Sequence, residues 1–359
     1  MSGGVDSSVA AARLLRAGYD VVGCTLHLWD YPEETSDKAR CCAPEDQYDA
    51  RRVADFLGFP HFSFDRRALF AERVVAPFVE AYLAGETPSP CTACNRGVKL
   101  TELFGIADRL GASKVATGHY ARLGDDGGVP FLATGRDDTK DQSYFLYATP
   151  QAQLERLVFP LGDSTKAEVR AEAVTSALPG ATKGESQELC FVGDGAGAYA
   201  SFVEARAQGR VRPGPIVDAA GRVVGAHAGV HRFTVGQRKG LGVALGTPAF
   251  VRAIDVDTAT VHLGSEEALG CGEARLDDVV LAPGVSLPRR AQVRVRYRHH
   301  GADATVSVSE GGARVVFDEA TRAVARGQIA VFYDGDRVLG GGRIAAISSR
   351  SSAPLRAAP

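Results

Sequence analysis

Residues 2–8 read SGGVDSS and run straight into VAAARLL (9–15). Two glycines, then small polar residues, then an alanine-rich run, describe a loop that opens a helix. Backbone N–H groups at a helix start have no partner within the helix and sit at the positive end of its dipole, so they favour anions. Gly3 and Gly4 let the backbone approach phosphate closely, and Ser2, Ser7 and Ser8 add hydroxyl donors. A Walker A loop needs a lysine after its second glycine, and no Gly-Lys pair exists in this chain. The loop therefore suits a pyrophosphate cradled by backbone and serine. Asp6 would repel bare phosphate unless Mg²⁺ intervenes.

Downstream of the loop, helical and strand patterns alternate. Ser8–Ala17 reads as a helix and DVVGCTLHLW (20–29) as a buried strand. Glu45–Leu57 reads as a helix closed by Gly58, HFSFD (61–65) as a short strand, and Arg67–Leu83 as an amphipathic helix ended by Gly85. Asn95–Leu110 reads as another helix, and KVATGHY (114–120) as a strand. Strands alternating with helices of this length predict an α/β fold with a parallel sheet.

Helical periodicity disappears after about residue 205, where short alternating runs are punctuated by Gly and Pro. The pattern predicts an α/β domain at 1–205, a small β-rich domain at 206–270, a β-barrel at 271–348 and a disordered tail at 349–359.

The 359 residues are 45% apolar and 23% charged, which suits a globular chain with real cores. No apolar run is long enough to span a bilayer, and the polar opening residues predict no signal peptide. Seven irregularly spaced cysteines point to a reducing, cytoplasmic setting with thiols reserved for chemistry. A net charge of −2 leaves any nucleic-acid partner to local basic patches.

TPSPCTACNRGVKL (87–100) carries Cys91 and Cys94, and reading Asn95 as a helix start puts Cys94 at a helix N-terminus, where the dipole favours thiolate. A lone Cys190 lies in ESQELCFVGDG (185–195). RVRYRHH (294–300) predicts a strand with Arg294, Arg296 and Arg298 on one face; HRFTVGQRKG (231–240) adds Arg232, Arg238 and Lys239. Two such clusters favour contact with RNA phosphates.

The loop matches the signature of the ATP-pyrophosphatase (PP-loop) superfamily, whose members adenylate a carbonyl oxygen and release pyrophosphate. Further strings occur in family order along nearly the whole chain: TPSPCTACN, VATGHYAR (115–122), KDQSYFLY (140–147), LCFVG (189–193), FTVGQRKGLG (233–242), RVRYR (294–298) and GQIAVFYDGDRVLGGGRI (327–344). Together they resemble the bacterial tRNA-specific 2-thiouridylases of the MnmA type.

The resemblance implies ATP-dependent conversion of the wobble uridine, position 34 of tRNA, to 2-thiouridine, with ATP and Mg²⁺ as cofactors. It implies that Ser2, Gly3, Gly4, Val5, Asp6 and Ser7 bind ATP phosphates, with Asp6 a possible Mg²⁺ contact, and that Leu26 and Gly118 flank the adenosine. It puts the nucleophile at Cys94 and the persulfide at Cys190, the two forming a disulfide during the cycle. Ser89, Pro90 and Cys91 stand at the target-base position; Lys140, Asp141, Gln142, Arg296 and Tyr297 stand at tRNA-contact positions. The expected partners are tRNAs for Lys, Glu and Gln and a persulfide donor such as a cysteine desulfurase or a relay protein.

Three features depart from the family pattern. A strand normally precedes the glycine loop, whereas Met1 precedes Ser2 directly, so the first strand is expected to be missing through truncation or a start-site error. Cys91 stands where many relatives carry Asp, which gives three thiols, Cys91, Cys94 and Cys190, that would suit an iron–sulfur cluster. Cys41 and Cys42 add an adjacent pair, read as part of a helix-entry loop capped by Glu45 or Asp46, with zinc binding the alternative. Three other functions compete. A tRNA 2-thiocytidine enzyme usually lacks the C-terminal modules. An amide-forming ligase such as argininosuccinate synthetase needs no cysteine pair. An RNA-binding protein that had lost catalysis would not turn over ATP.

Overall fold

The alanine-rich run after the glycine loop does form a helix, and its slimness sets how closely its neighbours approach. Along the chain the helices are α1 (Val5–Arg16), α2 (Pro44–Leu57), α3 (Arg67–Phe70), α4 (Ala76–Leu83), α5 (Pro90–Cys94), α6 (Leu100–Leu110), α7 (Gln151–Leu154), α8 (Lys166–Thr175) and α9 (Ala198–Glu204). Two π-helical turns, Ala71–Val75 and Asn95–Lys99, join α3 to α4 and α5 to α6. The computed structural model describes residues 1–30, 44–184, 189–193, 195 and 197–348; Cys41, Cys42 and the tail from 349 lie outside these described residues.

The chain divides into two compact units. The first holds residues 1–77, 90–202 and 336–338; the second holds 78–89, 203–335 and 339 onward. In the first unit, β1 (Gly23–His27) pairs in parallel with β2 (His61–Asp65), in register from Gly23↔His61 to His27↔Asp65. The next strand, β3 (Val115–Ala116), pairs in parallel with β6 (Leu157–Val158). Among the described residues the expected parallel sheet is thus two separate pairs. Thr25 Oγ1 donates to Met1 O at 2.7 Å, which ties the start of the glycine loop to β1.

Between them lies a hairpin that the sequence patterns did not suggest. Its strands are β4 (Ala121–Asp126) and β5 (Val129–Thr134), and the turn is Gly127-Gly128, both at positive φ. Two glycines in left-handed backbone suit the tight turn that matches strand twist. Residues 336–338 join this hairpin, with Arg337 opposite Ala133.

The core beneath the glycine loop is Val5, Val9, Ala10 and Ala12 of α1 packed with Tyr120, Leu161, Val169, Ala173 and Leu178. Small side chains on α1 and Ala173 on α8 bring these two helices together. α8 opens on a capping box in which Thr165 accepts from the Glu168 N–H and Glu168 accepts from the Thr165 N–H.

In the second unit, β7 (Gly214–Val217), β8 (Val223–His227), β9 (Phe250–Asp255) and β10 (Thr260–Gly264) form one sheet in the order β8-β7-β10-β9. A closed barrel follows: β11 (Gly270–Leu281), β12 (Arg289–Arg294), β13 (Ala302–Ser309), β14 (Gly312–Arg322), β15 (Ile329–Asp334) and β16 (Arg337–Ser348). Its strand order is β11-β14-β13-β12-β15-β16, and β11 pairs with β16 to remove the free edges. Val293, Val306, Val315, Phe317 and Phe332 fill its interior. Residues 78–89 belong to this unit: Glu86 receives Arg343 Nη1 at 2.9 Å, and Gln328 Nε2 donates to Thr87 O at 3.0 Å.

RVRYR is a strand only as far as Arg294, where its ladder with β15 stops at Val331; residues 295–298 bend and turn. Val293 and Val295 nevertheless point inward while Arg296 and Arg298 are exposed. No described helix is long and apolar enough to cross a membrane.

Phe317 is 1% exposed at the centre of the barrel. Phe317→Ala is expected to cost about 3–5 kcal/mol through lost burial and the cavity left behind, read as a lower urea midpoint for the barrel's unfolding transition.

Candidate active site

The glycine-serine loop is held by backbone packed on backbone. Gly3 has φ +68°, and a Cβ there would lie 2.3 Å from Asp46 O. Gly118 lies against the other side: its Cβ would meet Asp6 C and Ser7 N, both at 3.1 Å. Gly4 is the N-cap of α1 in extended conformation with no side-chain cap. The first-turn amides of α1 therefore have no cap from a side chain. Ser2 N donates to Ser7 Oγ at 3.2 Å, and Ser7 and Ser8 donate their hydroxyls to Gly4 O, each at 3.0 Å. These bonds curl the loop around the helix start in the form an oxyanion-binding turn needs.

Two ion pairs flank the loop. Lys166 Nζ donates to Asp6 Oδ1 at 2.6 Å and Oδ2 at 2.8 Å, and the Tyr120 hydroxyl donates to Oδ1 at 2.8 Å. Asp6, expected as a possible Mg²⁺ contact, thus already carries an ammonium and a phenol. On the other side Lys183 bridges Asp46 at 2.5 Å and Asp49 at 2.8 Å. Burial pulls the Lys183 pKa down, but the two carboxylates outweigh it and hold it above the usual lysine value. Asp46, read as a helix cap, is buried in this pair. Leu26 is buried in β1 opposite Phe64.

The thiols lie elsewhere in the same unit. Cys94 is buried, Cys190 half-buried and Cys91 exposed. The helix starts at Pro90, not at Asn95, because proline's preset φ suits the first helical position and its missing N–H costs nothing there. Cys94 is therefore at the end of the first turn and a half, where the dipole has faded; Cys91 is the thiol in the first turn. The π-helical turn starts at the next residue, Asn95, whose buried Oδ1 has no hydrogen-bond partner among the described residues. α5 packs against the other π-helical turn, Ala71–Val75, which follows directly on Phe70. Phe70 meets Phe191 edge-on with centroids 5.5 Å apart, and Trp29 and Phe202 complete that cluster. The Cys190 loop and the Cys94 helix are thereby braced on one aromatic support. No group of three His, Cys, Asp or Glu side chains able to hold a metal is present among the described residues. Cys91, Cys94 and Cys190 do not fit the iron–sulfur expectation.

The expected tRNA-contact residues divide. Asp141 is buried and accepts from the N–H groups of Gly135 and Ser143, each at 3.0 Å, so its carboxylate is spent inside the fold. Gln142 is clamped to Tyr120 by its side chain at 3.0 Å and its N–H at 2.8 Å. Lys140 is half-buried. Arg296 is exposed and donates to Arg322 O at 3.2 Å; Tyr297 is half-buried. Arg232 joins His231 on Glu204, at 2.9 and 3.0 Å. Arg294 stacks on the Tyr333 ring at 4.2 Å. Ser89 is half-buried in the second unit, and Pro90 is buried in the first.

Three family models match in sequence order. The tRNA methyl transferase HUP domain covers residues 1–194, the tRNA methyl transferase PRC-barrel domain 200–265 and the aminomethyltransferase beta-barrel domain 279–344. The tRNA-specific 2-thiouridylase MnmA of Sorangium cellulosum is 62% identical, covering 98% of this chain and 93% of its own. The chain belongs to the MnmA family. The MnmA proteins of Moorella thermoacetica and Solibacter usitatus are each 48% identical, covering 97% and 96% of this chain and 99% and 97% of their own. The family's PP-loop α/β domain and two following β modules are the architecture seen here.

Sequence inspection missed Lys166, Tyr120, Lys183 and the aromatic cluster. The T-x-x-E box at Thr165–Glu168 signals a helix start, but nothing local says that the lysine inside it reaches an aspartate 160 residues away. His119 was also passed over. Burial, reinforced by Lys99, holds its imidazole at about 3, and Thr117 Oγ1 lies 2.9 Å from Nδ1.

Two tests follow from this geometry. Gly3→Ala forces a strained φ and a backbone clash, and is expected to lower the melting temperature and abolish nucleotide binding. Gly118→Ala needs only a few tenths of an ångström and should raise the KM for ATP several-fold with little change in melting temperature. For His119, the folded pKa lies below the unfolded 6.5, so its unfolded form binds the extra proton and stability falls as pH drops from about 6.5 toward 3. His119→Gln is expected to flatten that fall, by up to about 1.4 kcal/mol per pH unit, in urea midpoints measured between pH 7 and 4.5.

Proposed function

We propose that this chain carries out ATP-dependent 2-thiolation of the wobble uridine of tRNA, giving 2-thiouridine, AMP and pyrophosphate. The observation that carries this reading is the uncapped start of α1, walled by Gly3 and Gly118, in the same unit as two cysteine segments braced on one aromatic cluster. Its relatives' name, tRNA-specific 2-thiouridylase, agrees with it.

The uracil C2 oxygen is a poor leaving group. Attack of that oxygen on the α-phosphate of ATP releases pyrophosphate and turns it into AMP, an excellent one. Ser2–Ser7 and the first turn of α1 would hold the phosphates, and Mg²⁺ would enter with ATP. Sulfur then arrives on Cys190 as a persulfide supplied by a donor protein. Two routes balance. In one, Cys94 thiolate attacks the inner sulfur, a Cys94–Cys190 disulfide forms, and the expelled hydrosulfide displaces AMP at C2. In the other, the terminal persulfide sulfur attacks C2 directly and expels AMP, and Cys94 then attacks Cys190 Sγ to release the thiolated base with the same disulfide. Both consume one persulfide and leave a disulfide that a cellular reductant must open.

The buried acceptor Asn95 Oδ1, next to Cys94, supports a substrate donor entering there, since an enclosed polar atom without a partner costs about 1–3 kcal/mol. Arg238, Lys239, Arg296 and Arg298 are exposed and would meet RNA phosphates. The expected tRNAs are those for Lys, Glu and Gln.

The test is nucleoside mass spectrometry of tRNA incubated with the protein, ATP, Mg²⁺ and a persulfide donor. ATP-dependent 2-thiouridine is expected, and its absence overturns the reading. Cys190→Ser should abolish 2-thiouridine yet retain tRNA-dependent pyrophosphate release; full thiolation by that variant would rule out the sulfur carrier assigned here.

A further inference from the structure

The Asp6 carboxylate stands in the first turn of the helix that would bind phosphate. Alone it opposes such a ligand. A helix N-terminus is worth roughly half a positive charge, so one carboxylate turns the local balance negative. The ammonium of Lys166 turns it back to roughly half a positive charge.

The structure shows how firmly that ammonium is placed. Lys166 Nζ contacts both Asp6 oxygens, at 2.6 and 2.8 Å, and its side chain is only 12% exposed. The nitrogen also lies 5.8 Å from the centre of the Tyr120 ring, whose hydroxyl holds Asp6 Oδ1. At the other end of the side chain, the Lys166 backbone N–H donates to Asp137 Oδ2 at 2.8 Å, as the first residue of a capped helix. Gln142 clamps the Tyr120 backbone from behind. Lysine, aspartate and tyrosine come from three separate segments that meet at the loop.

We infer that Lys166 is a positioning residue that neutralises Asp6, so that the glycine-serine loop accepts a polyphosphate it would otherwise repel. It acts through Asp6, and Tyr120 keeps the carboxylate turned toward it. The inference rests on the reading that the loop binds ATP.

The sign of the charge makes it testable by rescue. ATP binding is measured by calorimetry on the full chain in EDTA, which removes any role of Asp6 toward a metal. Lys166→Met is expected to weaken ATP binding at least tenfold, and Lys166→Arg to keep it within threefold of wild type. The double variant Lys166→Met/Asp6→Asn should regain affinity to within threefold of Asp6→Asn alone, because no carboxylate remains to be neutralised. The double variant and Lys166→Arg bury no lone carboxylate, so they carry the test even where Lys166→Met misfolds. A double variant as weak as Lys166→Met would overturn the inference, since the ammonium would then be acting on the phosphate itself. Lys166→Met binding as wild type would also overturn it. Wild type that binds ATP with Mg²⁺ but not in EDTA would overturn this inference alone, wild type that binds under neither condition would overturn the nucleotide reading with it, and failure among the variants alone leaves that reading standing.

Discussion

Contact of backbone with backbone around residues 2–7 is the constraint on which the rest of the first unit depends. Gly3 rests on the Asp46 carbonyl and Gly118 on the Asp6–Ser7 peptide. The approach at Gly3 leaves no room for a side chain and the one at Gly118 leaves little, so the loop can be held closely on both sides. The same closeness explains the alanines of α1. A slim helix brings α8 within reach, and only then can the first residue of α8 pair with the second residue of α1. Core packing here sets the electrostatics: the position of one ammonium follows from the size of alanine.

The thiols are organised by a different kind of contact. Trp29, Phe70, Phe191 and Phe202 meet edge to face, save for the tilted Trp29–Phe202 pair, with centroid separations from 5.3 to 6.4 Å. Such pairs are directional, so they orient the Cys190 loop as well as burying it. The two π-helical turns pack against each other beneath this cluster. A π turn widens a helix locally and is seen often where function needs an irregular backbone. Here one begins at the residue after Cys94, in a stretch where Thr92, Cys94 and Asn95 are all buried. Cys91, only three residues earlier, remains exposed. The two thiols of one CxxC motif therefore meet different solvents and are suited to different tasks.

Much of this was legible in the residues. HFSFD proved to be a strand with the bounds read, and α2 and the 67–83 helical stretch fell within a residue of expectation. The glycine loop and the cysteines carry local signals, a turn, a helix start, a thiol between turn residues, and the chemistry proposed for them is read from those signals. What escaped is non-local. The hairpin at 121–134 was hidden because GDDGG breaks its alternation and because its outer neighbour, Arg337, comes some 200 residues later. RVRYR alternates like a strand to its end, but its ladder with the partner strand stops at Arg294. The resemblance put Lys140, Asp141 and Gln142 at tRNA-contact positions, yet Asp141 closes a buried turn through three hydrogen bonds. The N-terminal placement of Cys94 failed because Asn95 was read as the helix start, whereas Pro90 opens the helix.

The distribution of arginine bears on how an acidic chain meets RNA. Its net charge is −2, yet the number of arginines matters less than what each one touches. Arg13 and Arg16 share Glu172; Arg232 is held by Glu204; Arg290 pairs with Asp318; Arg343 spans Asp277 and Glu86. These cations are committed to the fold, and a phosphate would have to break an existing pair to use them. Arg238, Lys239 and Arg298 make no ion pair among the described residues, and all three are exposed. Lys239 sits directly before Gly240, which is in left-handed backbone. Binding through a few uncommitted cations releases few counterions. Under the proposed function, affinity for the RNA backbone would then be modest, and surface charge alone would contribute little to selection of the substrate.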